Sequence, residues 1–175
     1  TLSMADIVGP QQWQHALSIL GCINFYYAGP TIDYPAGDGI YVGDGSRLVR
    51  VRYFRVNSSG RNGVSIVDAA DVIVRYGTFV SCGRFWAKCG VDIEPNTGSV
   101  VDRILIENCV ASESGSIGFS ISTLAASQNG TIELRDCIDY GSRYGFNITG
   151  PPLTSTADIS VNDCCRSGRI PRKSW

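Results

Sequence analysis

Apolar and polar residues alternate in short runs along most of this chain, and one such run returns five times. GIYV opens at Gly39, GVSI at Gly63, GVDI at Gly90, GFSI at Gly118 and GFNI at Gly145, in steps of 24, 27, 28 and 27 residues. Glycine, apolar, polar or Tyr, apolar is the period-two signature of a half-buried strand that opens after a turn. A fixed period of this size marks a stack of like supersecondary units.

A second phrase keeps the same register. VRVRYF (49–54), VIVRYG (72–77), ILIENC (104–109), IELRDC (132–137) and ISVNDC (159–164) each read apolar-x-apolar-x, then a turn residue, then a small or apolar inward position. The turn residues are Tyr53, Tyr76, Asn108, Asp136 and Asp163. Asn and Asp tolerate the left-handed backbone that a sharp corner between strands requires. Serine- or glycine-rich returns such as NSSGRNG, SESGSIG and DYGSRYG lead into the next repeat.

Three short strands per repeat are too few for a propeller blade and do not fit a helical pair. They predict an all-β right-handed parallel β-helix of about five coils, each strand pairing with its counterpart one coil away at about 4.8 Å. RNGVSIVDAADVIVRYGTFVSCG (61–83) and GVDIEPNTGSVVDRILIENC (90–109) resemble the pectin-lyase-like family of β-helices. Bacteriophage tailspikes and polysaccharide depolymerases carry similar phrases, notably glycine-x-Asp-Ile-Glu-Pro-Asn. The resemblance covers about 38–168. It is specific for fold and weak for reaction, because one solenoid hosts hydrolases, lyases, epimerases and inert fibres. It implies an extracellular or virion protein, with a secreted bacterial protein as the alternative, and a homo-oligomer, typically a trimer.

Residues 1–37 do not follow the repeat and are expected to cap the solenoid. Pro10 to Leu20 reads as a helix, with Pro10 in the first turn and Trp13, Ala16, Leu17 and Leu20 on one face. His15 lies off that face and is expected at the surface. Residues 22–30 read as a strand and 31–39 as a loop. The tail, 169–175, is basic and carries Pro171, and is expected to continue into, or abut, another segment or chain.

Composition narrows the function. A hydrophobic share of 43%, a charged share of 18% and a net charge of −1 fit one buried-core domain with no general attraction to nucleic acid or to an anionic membrane. No run approaches the roughly eighteen apolar residues of a membrane span, and no signal-peptide pattern opens the chain. Seven cysteines leave at least one thiol unpaired within the chain. Cys109, Cys137 and Cys164 share one coil position and are expected to stack inward; Cys82 and Cys89 are the better bridge candidates. With a single histidine and no paired CxxC motif, no zinc site is expected.

Strand alternation points Tyr41, Ser65, Asp92, Ser120 and Asn147 outward as a ladder, with Glu94 two residues beyond Asp92 and Asp68 at a neighbouring corner. Asp92 and Glu94 would lie roughly 5–9 Å apart, the range of two-carboxylate glycoside hydrolysis. Crowded carboxylates should push their pKa values apart and could leave one protonated near neutrality. Asp92, Glu94 and Asp68 are therefore the catalytic candidates, against the alternative of a solvated polar ladder in which Glu94 caps the turn at Pro95. The loop 83–88 carries Arg84, Trp86 and Lys88. Together with Tyr41, Ser65, Ser120 and Asn147 these are candidates for holding a sugar, unless the loop simply folds back to bury Trp86. The column Arg52, Arg75, Glu107, Arg135, Asn162 reads as a surface salt-bridge ladder.

The leading expectation is a β-helix that recognises and cleaves polysaccharide by glycoside hydrolysis, without a cofactor. The alternatives are a non-catalytic adhesin or structural solenoid, and a uronate lyase or epimerase, for which Ca²⁺ would be the expected cofactor.

Overall fold

A computed structural model describes residues 2–3, 13–85, 88–122, 128–149 and 158–168. It is a parallel β-solenoid of about five turns. One sheet of six strands stacks Leu17–Leu20, Ile40–Gly43, Val64–Ile66, Cys89–Ile93, Ile117–Ser122 and Tyr144–Thr149 in that order. Ile40 pairs with Val64, Val64 with Val91, and Phe119 with both Val91 and Phe146, so the five recurring phrases lie directly over one another. A second sheet forms the other sides of each coil. Its strands Ser46–Asn57 and Ala69–Val80 run unbroken, whereas later coils divide into pairs such as Val100–Glu107 and Val110–Ser112.

The corners fall where the sequence places them. Tyr53, Tyr76, Asn108, Asp136 and Asp163 all have φ between 50° and 54°. Ser58, Ser81 and Glu113 repeat the left-handed conformation at the end of the third side, and Leu48, Asp71 and Arg103 repeat it before the second. A left-handed non-glycine residue is costly in isolation. The first and second corners are held by parallel ladders on both flanks, as in the Arg47–Ala70 and Val49–Val72 pairs around Leu48 and Asp71, and the last by a ladder on its N-terminal flank.

The recurring glycine has a second cause besides the turn. A Cβ on Gly39, Gly63, Gly90 or Gly118 would stand 2.5–2.7 Å from the carbonyl oxygen of the equivalent glycine one coil on. The Gly63 carbonyl that Gly39 approaches accepts the Ile40 amide at 3.0 Å and is therefore fixed in place. Only a residue without a side chain lets the coils sit at ladder spacing here.

Inward positions form a continuous core: Ile40, Val42, Val64, Ile66, Val91, Ile93, Phe119 and Ile121 are fully or almost fully buried. Each such side chain contributes about 1.5–3 kcal/mol relative to exposure. Ile148, expected to point inward, is half exposed, because its strand has a partner on one side only among the described residues. The thiols of Cys109 and Cys137 are buried in the predicted inward stack, with Cys164 partly buried above them, its Sγ accepting the Cys137 amide at 3.4 Å. The candidate Cys82–Cys89 bridge is not formed; both are buried thiols outside any disulfide. Burial pushes the Cys82 and Cys164 thiols up to about 11, and thiolate is the reactive form. Alkylation of the native protein at mildly alkaline pH should therefore label exposed Cys165 and spare Cys82, Cys89, Cys109 and Cys137 until the chain is unfolded, as counted by mass spectrometry.

The expected helix over 10–20 is overturned for its described part. Leu17–Leu20 is a strand whose Leu17 and Ile19 pair with Ile40 and Val42. Ile19 is fully buried while Trp13 and Leu20 are exposed, the reverse of what the helical face requires. Period-two burial wins because the Ile40–Gly43 strand otherwise presents an unpaired edge. Residues 10–12 lie outside the described residues. Thr31–Asp33, expected in a loop, pairs with Arg55–Asn57, and Tyr26–Ala28 pairs with Arg50–Arg52. A further coil thus underlies the first recurring phrase.

Candidate functional site

On the outer side of the six-stranded sheet, Tyr41, Ser65, Asp92, Ser120 and Asn147 form one column in ladder register. The middle of that column is closed. Ser65, Asp92 and Ser120 are buried, Asp92 retaining only 7% of its surface, while Tyr41 and Asn147 remain partly open. Glu94, just past the strand, is exposed.

Asn62 organises this closure. Its Nδ2 donates to Ser65 Oγ at 3.0 Å and to Asp92 Oδ2 at 3.1 Å, and its Oδ1 accepts the Cys89 amide at 3.0 Å. Its own amide donates to Asp38 Oδ1 at 2.9 Å, and the Asp38 amide in turn donates to His15 Nδ1 at 3.1 Å. His15, Asp38, Asn62 and Cys89 occupy equivalent positions in successive coils, each just before the inward-facing strand. In three successive steps a side chain accepts the amide of the coil above. Buried amides require such partners.

The expectation of a surface His15 is therefore overturned. Its side chain is 4% exposed and its ring stacks on Tyr41 with centroids 4.6 Å apart. Because Nδ1 accepts the Asp38 amide, Asp38 Oδ2, 3.2 Å from the same nitrogen, has no donor among the described residues. The sequence reading sets His15 at the surface and passes over Asp38 and Asn62 as a network, because it fixes on the phrase beginning at glycine. The usable signal was the residue just before it, which is polar at Asp38 and Asn62.

Burial pushes the Asp92 carboxyl up to about 6. The charge of Glu94 adds to this, while hydrogen bonds from Ser120 and Asn62 oppose it. Desolvation is the larger cause of this shift, ahead of the crowding of carboxylates expected from the sequence. Asp68 stands apart from the pair, its Oδ1 accepting the Val100 amide at 2.9 Å, which closes the next corner. The Tyr41 phenol is raised by burial and then by Asp38. A buried carboxyl that holds its proton beside an exposed carboxylate can donate that proton while its neighbour stabilises positive charge or directs water.

The shift also has a consequence for stability. A carboxyl raised in the folded state binds its proton more tightly there than in the unfolded chain. Its favourable contribution is complete below the unfolded value near 3.8 and is lost as pH rises through about 6. Asp92→Asn should thus remove a decline on the order of 2 kcal/mol between these limits, measured by denaturant unfolding across pH.

Of the remaining candidates, Arg84 is exposed, with its guanidinium 5.5 Å from the Tyr34 ring centre and 5.1 Å from that of Phe85. Lys88 is exposed at a left-handed corner, φ 58°. Trp86 lies outside the described residues. The expected surface ladder is present: Arg75 Nε stands 2.5 Å and Arg135 Nη1 3.2 Å from the two oxygens of Glu107. Among the described residues, no group of three or more His, Cys, Asp and Glu is placed to hold a metal ion.

Compared with family models, curated proteins and solved structures, the chain matches none of them.

Proposed function

We propose that this solenoid binds polysaccharide on its six-stranded face and hydrolyses a glycosidic bond, with Asp92 as proton donor and Glu94 as the second carboxylate. The observation that carries the reading is the burial of the Asp92 carboxyl two residues before the exposed acid Glu94, a burial that also pushes Asp92 up to about 6. That division of environments separates acid from base in two-carboxylate hydrolysis. Tyr41, Asn147, Arg84 and Lys88 supply hydrogen bonds and charge along the same face, and Ser65 and Ser120 fix the donor. The pectin-lyase-like likeness of 61–83 and 90–109 supports a polysaccharide substrate and an extracellular or virion setting.

A non-catalytic adhesin or structural solenoid is the second reading. It is favoured by the completeness of the Asn62 network, which satisfies Asp92 from within the protein. Incubation with a panel of acidic and neutral polysaccharides separates the readings. New reducing ends without an ultraviolet-absorbing unsaturated product support hydrolysis. An unsaturated product identifies a lyase, and retention of a glycan without cleavage identifies the adhesin.

A further inference from the structure

We propose that the outer face of the second sheet, over its first coils, is a separate binding site for the anionic groups of an acidic polysaccharide. In Ser46–Asn57 the inward residues are Val49, Val51, Phe54 and Val56, and the outward ones include Arg47, Arg50, Arg52 and Arg55. Carboxylates on this sheet lie mainly in later coils and are already engaged. Asp71 holds Arg103 through two bonds of 2.6 and 2.9 Å, Glu107 serves Arg75 and Arg135, and Glu133 serves Arg135. No carboxylate among the described residues comes within 4.0 Å of Arg47, Arg50, Arg52 or Arg55. Arg52 also stands in register with Arg75 on the next strand; like charges directly opposite cost stability, and an external anion relieves that repulsion.

The guanidinium groups of Arg50 and Arg52 are held in place before any ligand arrives. Arg50 Nη1 donates to the Val49 and Asp71 carbonyls at 3.0 and 2.5 Å. Arg52 Nε donates to the Tyr26 hydroxyl at 2.7 Å, and its guanidinium lies 4.7 Å over the Tyr26 ring and 5.9 Å from that of Tyr53. Between them opens a shallow hollow of about 260 Å³ lined by Tyr26, Arg50, Arg52 and Arg75. Fixed arginine forks match the paired oxygens of a carboxylate or sulfate and lose little freedom on binding.

The aromatics narrow the ligand class. Tyr53 and Tyr76 are exposed but stacked on each other, with centroids 4.9 Å apart and planes within 5°. That spacing leaves no slot for a nucleobase between them, and Arg52 already covers a face of Tyr26. A single strand of nucleic acid needs open ring faces to stack on. Arginines and phenol edges instead suit a hydroxyl-rich chain that carries oxyanions.

The test is calorimetric titration with polygalacturonate, heparin, neutral dextran and a single-stranded oligonucleotide. Polygalacturonate, heparin or both should bind, more weakly as salt is raised, and dextran should not. Binding of polygalacturonate, whose only anion is carboxylate, identifies carboxylate as sufficient; binding of heparin without polygalacturonate identifies sulfate as the group required. Arg50→Gln with Arg52→Gln should weaken binding about tenfold or more. Arg135→Gln with Arg143→Gln, which removes the same charge elsewhere, should leave it unchanged, and thermal melts confirm that both variants fold. Equal weakening by the two doubles, equal binding of dextran, tighter binding of the oligonucleotide, or no binding of either anionic chain overturns the proposal. Asp92→Asn keeps all four arginines and should bind like the unmodified protein, so this site and the hydrolytic reading fail independently.

Discussion

Asp92→Asn should slow polysaccharide hydrolysis by about 10²–10⁴-fold, the usual worth of a positioned proton donor, while leaving the fold intact at neutral pH. Asparagine keeps the shape of the side chain and an oxygen for Asn62 Nδ2, but it has no proton to give. In the unmodified protein, the proposed activity should fall as pH rises through about 6, where Asp92 ionises. Glu94→Gln should cost a comparable factor and carry a second signature. Glu94 is one of the groups that raise Asp92, so whatever activity remains should lose its alkaline limb at lower pH. Initial rates of reducing-end release across pH read both effects. Full activity in both variants would remove Asp92 and Glu94 from the mechanism.

Gly63→Ala should lower the melting temperature by roughly 6–12 °C, corresponding to about 3 kcal/mol in a chain of this size. The new methyl would stand 2.5 Å from the Gly90 carbonyl oxygen and 2.5 Å from Phe79 Cδ1. The first contact is backbone in the next coil and cannot yield without parting the ladder; the second is a fully buried ring. Gly168→Ala, where a Cβ meets nothing within 4 Å, is the control and should melt unchanged. Thermal unfolding followed by circular dichroism distinguishes them, and equal melting of the two variants would reject close approach as the reason for the glycine column.

The coil register was legible because three kinds of residue recur in phase: the glycine, the inward apolar pair and the left-handed corner at Tyr53, Tyr76, Asn108, Asp136 and Asp163. Each reports a local requirement that sequence states directly. The N-terminal segment misled for the opposite reason. Trp13, Ala16, Leu17 and Leu20 satisfy a helical spacing, while Leu17 and Ile19 satisfy a strand, and the edge of Ile40–Gly43 decides between them from outside the segment. The candidate site was half legible. Alternation gave the column Tyr41–Asn147, but not that Asn62, thirty residues before Asp92 in sequence, folds over it. A polar ladder written as outward-facing thus became a buried one. Side-chain reach across coils is set by return-loop geometry, which no period records.

The charge column on the second sheet bears on how such a spiral keeps its coils in order. The glycines, the corners and the apolar pairs are nearly interchangeable from turn to turn, so backbone and core alone would accept a coil copied in tandem. Duplicating 90–117 would set Glu107 over its own twin, where its native neighbours are Arg75 on one side and Arg135 on the other. Like charges facing each other across adjacent strands repel. The sign carried at one surface position thereby acts as an address label, telling otherwise similar turns which neighbour is theirs.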